Sequence, residues 1–175
     1  MAEEKKETWI QWVALTTTVL AVCAAISSLR ASGYSTRVQI YTTREANQWA
    51  YYQAKSIKEH SFRLNRDVLT GIQLETKNPE VQKYLAAKIK DYEGEIARYD
   101  KEKGEIKREA EDIIRQQELL KRHNGAFALA TMMLQIAIMC SAVGALVKRK
   151  LMWYAGLVMG AWGLLYMGNG FFLWF

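Results

Sequence analysis

The chain has 175 residues and a net charge of +6, and half of its residues are apolar. Its charges are confined to particular segments, which argues against one soluble globular domain. No basic patch interleaved with stacking aromatics occurs, so nucleic-acid binding is not expected, and attraction to anionic lipid headgroups is the better use of the excess charge.

Residues 1–8 form a short polar head containing Glu3, Glu4, Lys5, Lys6 and Glu7. Residues 9–29 are apolar and meet the roughly 20 residues that a bilayer crossing needs, so they are expected to form the first transmembrane helix. The head is too acidic, and the apolar run too long, for a cleaved signal peptide. Val22 before Cys23 is wrong for lipoprotein processing, which requires a small residue there. Ala21 with Ala25, and Ala24 with Ser28, are small-residue pairs at i, i+4 that let helices approach closely in lipid. Gly33 is the expected bend out of the span.

Residues 30–124 are expected to stand outside lipid as a helical hairpin. Its arms, about 36–77 and 79–124, would each be on the order of 60 Å long at 1.5 Å per residue. Asn78 can cap the second arm, Pro79 suits its first position and Glu80 its positive end. Gly71, Gly94 and Gly104 each cost about 1 kcal/mol in a helix, and a kink at Gly71 is expected.

The first arm contains the run Trp49-Ala50-Tyr51-Tyr52-Gln53-Ala54-Lys55-Ser56-Ile57-Lys58. At about 100° per residue, Ala46, Ala50, Gln53 and Ile57 would form a small-residue seam against the other arm. Trp49 and Tyr52 would flank it, with Tyr51 pointing away. A two-helix hairpin buries one stripe per helix, so this run carries more aromatics than it needs. Trp49, Tyr51, Tyr52, Gln53 and Lys55 are therefore the candidate oligomer or partner interface. The plainer alternative is packing within the hairpin.

The second arm has a seam at Leu85, Ile89, Tyr92, Ile96, Tyr99, Lys103, Ile106, Ala110, Ile113, Gln117 and Leu120. Its steps alternate four and three, the heptad pattern of a coiled coil. Lys103 and Gln117 interrupt it, as polar residues that fix register often do. The same steps continue through Asn124, Phe127, Thr131, Leu134, Ile138, Ser141 and Ala145. Residues 125–147 carry no charge and are expected to be the second transmembrane helix, continuous with the arm. Residues 148–150, Lys-Arg-Lys, form a basic hinge that the positive-inside rule places in the cytoplasm. The amino terminus is then cytoplasmic and residues 30–124 extracytoplasmic. Residues 151–175 make the third span. Its Gly156, Gly160 and Gly163, together with Ala21, Ala25 and Gln135, are the expected span-packing residues.

The 49–58 run resembles the hallmark motif of domain-of-unknown-function family 4337, a bacterial family of small membrane proteins. The resemblance extends to Trp12-Val13-Ala14-Leu15, the long charged helix, Leu134-Gln135-Ile136-Ala137-Ile138, and the basic hinge before Trp153-Tyr154. It implies the three-span architecture and a bacterial source, and supplies no activity. Members often carry a His-rich head; this chain has none, so no metal role carries over.

The expected fold is thus an all-α membrane protein with a long antiparallel coiled-coil hairpin between its first and second spans. His60 and His123 have no chelating spacing, and Cys23 and Cys140 fall inside spans as packers. No acid–base or nucleophile constellation occurs, so catalytic residues, metals and cofactors are not expected. The expected function is a non-enzymatic scaffold in the bacterial inner membrane, self-assembling in contact with lipid. One alternative is an accessory subunit bound to a second membrane protein, and another is an oligomeric channel lined by Thr and Gln side chains.

Overall fold

The computed structural model describes residues 2–174, with side chains from residue 8 onward. Three helices account for nearly all of them: α1 (Ala2–Glu75), α2 (Pro79–Val147) and α3 (Lys150–Phe172). No strand occurs among the described residues. Each break has a local cause. Asn78 Oδ1 accepts the Glu80 N–H at 3.0 Å, which caps α2, and Pro79 occupies the first helical position as its missing donor allows. Lys148 adopts a left-handed φ of 57°, and the Arg149 N–H turns back to the Gly144 carbonyl at 3.0 Å. α3 ends the same way, at Leu173 with φ 49° and its N–H on Asn169 O.

α1 runs unbroken through Gly33, where a bend is expected, and through Gly71, so the first span and first arm are one element. Straight-through helix costs only the modest propensity penalty of each glycine. Contacts divide the chain into Met1–Ile40 with Gln117–Phe175, and Tyr41–Gln116. The first unit thus reaches beyond the boundaries at residues 30 and 124.

In the first unit, α1 turns Val13, Thr17, Leu20, Ala24, Ser27, Ala31, Tyr34 and Val38 away from solvent, in steps of four and three. The expected α2 seam from Gln117 to Ala145 is buried or half-buried at every position. Leu20, Ala24, Leu134 and Ala137 form the core, with Cys23, Ile138 and Met159 packed against them. α3 joins through Gly156, Gly160 and Gly163, all of which are buried. A Cβ on Gly156 would lie 2.8 Å from the Ala137 carbonyl and closer still to the Ser141 hydroxyl; one on Gly163 would lie 2.7 Å from Leu134 Cγ. Only glycine permits that approach.

Ala21, Ala25 and Gln135 are exposed, so they do not pack spans together within the chain. Leu20, Ala24 and Ser27 occupy the contact instead, because Ala21 and Ala25 lie about 100° further round the helix. The outer face of this unit is apolar, with Leu15, Val19, Val22, Met132, Met139, Val158 and Leu165 open. All three helices are long and apolar enough to cross a membrane.

Side chains tie both ends of the unit. Trp153 donates its Nε1–H to Thr16 Oγ1 at 3.2 Å and lies 6.5 Å from the Trp9 ring. At the opposite end Tyr34 stacks on His123 (4.8 Å, 7°), which contacts the Gly170 carbonyl through Nδ1 at 2.8 Å. His123 is thus a half-buried tie between three helices.

Gly156→Ala is expected to lower stability by about 1–3 kcal/mol through overpacking against backbone. Gly94→Ala, where a Cβ meets nothing within 4 Å, should raise stability by up to about 1 kcal/mol. Thermal unfolding in detergent checks both, and equal effects at the two sites would refute close packing by α3.

Candidate interaction site

The Tyr41–Gln116 unit pairs α1 with α2 antiparallel. On α1 the residues turned inward are Tyr41, Glu45, Gln48, Tyr52, Lys55, Glu59, Phe62, Arg66, Leu69 and Gln73, again in unbroken steps of four and three. On α2 they are the expected heptad positions, with Leu85, Ile96, Tyr99, Ile106 and Ala110 buried. An apolar seam therefore meets a largely polar one.

The polar seam residues from Gln48 to Glu59 are stable here because they are paired. Glu59 is 4 % exposed, and its carboxylate takes an ion pair from Lys103 across the hairpin and another from Arg63 one turn on, at 2.5 Å. Lys103 also sits 5.8 Å over the Tyr52 ring. The hydrogen bond from Lys103 holds the Glu59 carboxyl below its usual range, and the same bond raises Lys103. One layer away, Lys55 meets Glu102 at 2.5 Å and lies 5.3 Å from both Tyr51 and Tyr99. Their hydrogen bond raises Lys55 and lowers Glu102. Gln48 Nε2 donates to Glu109 Oε2, also at 2.5 Å. Phe62 fills the next layer, 5.4 Å from Tyr92 and 5.7 Å from Tyr99. Lys103, which interrupts the α2 heptad, thus has its partner in a buried acid on α1.

The candidate interface residues divide. Tyr52 and Lys55 face the other arm, while Trp49 is half-buried with its ring edge-on to Tyr52 at 5.7 Å. Tyr51 and Gln53 face outward. The small-residue seam expected against the other arm does not lie there. Ala46, Ala50, Gln53 and Ile57 are all exposed, because the paired polar stripe centred on Glu59 occupies the contact about 200° away. Instead they continue into Leu64 and Val68 as an open apolar stripe, where Ile57, Leu64 and Val68 are 68, 53 and 60 % exposed. α1 therefore turns its paired charges inward, while Ile57, Leu64 and Val68 stay open among exposed polar residues such as Lys58, His60 and Asn65. Among the described residues, no group of His, Cys, Asp or Glu could hold a metal ion.

A family model, "Domain of unknown function (DUF4337)", matches residues 9–173. The chain belongs to the DUF4337 family. No curated protein and no solved structure matches it. In the hairpin, the stripe of Ile57, Leu64 and Val68 is left uncovered by α2.

Charge pairing across the hairpin sets a pH window. Glu59, lowered from 4.5, stabilises the fold above that value and is lost as acid protonates it; Lys103, raised from 10.5, stabilises below that value and is lost as alkali deprotonates it. Hairpin stability should be flat between the two limits and fall outside them. Glu59→Leu should cost about 2 kcal/mol, less than a fully enclosed pair because Lys103 still reaches water. Replacing both Glu59 and Lys103 by Leu should recover most of the loss. Urea unfolding followed by circular dichroism reads all three, and an unchanged Glu59→Leu midpoint would refute a structural role for the pair.

Proposed function

We propose that this protein is a non-enzymatic scaffold of the bacterial inner membrane that self-assembles through its hairpin and spans. The observation that carries this reading is the outward apolar stripe of α1, from Ala46 through Ile57 to Val68. A two-helix hairpin in water gains nothing by exposing branched aliphatic side chains at coiled-coil spacing, and a second copy of the same stripe would cover them. Gln135 supports it from the membrane side. Its carboxamide projects from the outer face of an uncharged span, where a partner across a helix–helix contact stabilises it. Ala21 and Ala25, exposed on α1, suit close approach of the same kind. The basic hinge at residues 148–150 favours a cytoplasmic amino terminus and extracytoplasmic residues 41–116.

The channel alternative loses ground at Thr16, Thr17 and Thr18, whose hydroxyls bond back to carbonyls of their own helix. The accessory-subunit alternative differs only in which protein covers the stripe.

Native mass spectrometry of gently extracted protein should give one mass at an integer multiple of 20.1 kDa. Ile57→Glu with Leu64→Glu should reduce it to monomer without lowering the melting temperature of the monomer, and Tyr51→Ala should weaken assembly more than folding. A mass containing a second polypeptide would replace self-assembly with the accessory-subunit reading. An unchanged oligomer in the stripe variant would refute the stripe as the interface.

A further inference from the structure

At one end of the first unit, α1 carries an open groove of about 470 Å³ lined by Ile26, Leu29, Arg30, Gly33, Tyr34 and Arg37. The volume is in the range of small-molecule sites. Its lining is ordered along the helix. Ile26 and Leu29 come first, with Leu29 76 % exposed, and Arg30 and Arg37 follow, about 10 Å apart along the axis. Between them Gly33 leaves bare backbone, since a Cβ there would meet nothing within 4 Å. The guanidinium groups are held over rings, Arg30 5.5 Å from Phe171 and Arg37 5.8 Å from Tyr34. Neither has a carboxylate within ion-pair distance among the described residues.

We propose that this groove binds one glycerophospholipid, with its phosphate between Arg30 and Arg37 over Gly33 and an acyl chain along Leu29 and Ile26. The order hydrocarbon, then cation, matches the order of groups in that ligand. Paired guanidinium forks suit phosphate oxygens, and Gly33 lets the headgroup approach the backbone. Charge decides between a lipid and a second copy. Residues 8–44 and 119–175 contain no Asp or Glu, so a copy lying alongside in the same orientation would bring Arg30, Arg37, Lys121 and Arg122 to this level against Glu118 alone. Like charges oppose that contact, and an anionic headgroup relieves them. The proposal rests on membrane residence and is independent of self-assembly.

The test is native mass spectrometry of the delipidated full-length protein, titrated with phosphatidylglycerol, with diacylglycerol, or with inorganic phosphate. One phosphatidylglycerol should be retained per chain, and neither of the other two should compete at equal concentration. Arg37→Gln should weaken retention about tenfold. Gly33→Leu, which keeps both charges and fills the groove, should abolish it, whereas Arg122→Gln should leave it unchanged. Phosphate competing as well as lipid would overturn the lipid assignment in favour of a free anion. Equal loss in Arg122→Gln would reduce the site to general surface charge. Retention in Gly33→Leu, or copies cross-linking through Leu29→Cys, would place another occupant there. Alkaline carbonate extraction of native membranes separates failure of membrane residence, in which the protein is released, from failure of the lipid site.

Discussion

Two antiparallel helices can bury only one stripe each, and in this chain both stripes step by four and three residues. That spacing keeps a stripe facing its partner along helices of 74 and 69 residues. In the Met1–Ile40 and Gln117–Phe175 unit the stripes are uncharged, with Leu20, Ala24 and Leu134 at the centre. In the Tyr41–Gln116 unit the spacing is kept while the chemistry changes, and Glu59, Lys55 and Gln48 take positions that leucines would fill in an ordinary coiled coil. Such positions are tolerable only when every charge is met, as the Glu59, Lys103 and Arg63 cluster is.

The remaining features depend on which face that pairing consumes. On α1 of the hairpin it takes the stripe that carries Gln48, Lys55 and Glu59, and Ile57, Leu64 and Val68 are left open. Charged pairs enforce register, because a slip would leave Glu59 buried without a cation. They add little net stability, so the open stripe of Ile57, Leu64 and Val68 is where further association could stabilise the protein. In the other unit the α1–α2 contact leaves room for α3 only at very short distance, which is why Gly156 and Gly163 face Ala137 and Leu134.

The α2 heptad, the Asn78–Pro79 turn, the three apolar segments and the glycine face of α3 were legible in the sequence, because each is written in apolar spacing or in residues with narrow backbone preferences. The inward face of α1 was not. Its apolar members, Tyr41, Tyr52, Phe62 and Leu69, are interleaved with Gln48, Lys55, Glu59 and Arg66, and hydrophobic periodicity favours the opposite face, Ala46 to Ile57. The signal lay in the spacing of its polar residues combined with Lys103 on the facing helix, a half-buried cation in an apolar seam that calls for an acid. Gly33 misled for a related reason. Its lack of a side chain suggested a bend, whereas the helix continues and the gap becomes the floor of a groove. The role of His123 depends on Tyr34 and Gly170, far apart in the chain, and no local pattern brings the three together.

The most direct measurement is site-directed thiol cross-linking in native membranes, with Cys23 and Cys140 replaced by alanine. Gln48→Cys paired with Glu109→Cys should be joined by a short bifunctional reagent, because these side chains meet across the hairpin at 2.5 Å. Ala50→Cys paired with Glu109→Cys should stay unlinked, since Ala50 lies about 200° round the helix from Gln48. The reverse result would put the apolar face inside and contradict both the polar seam and the open stripe.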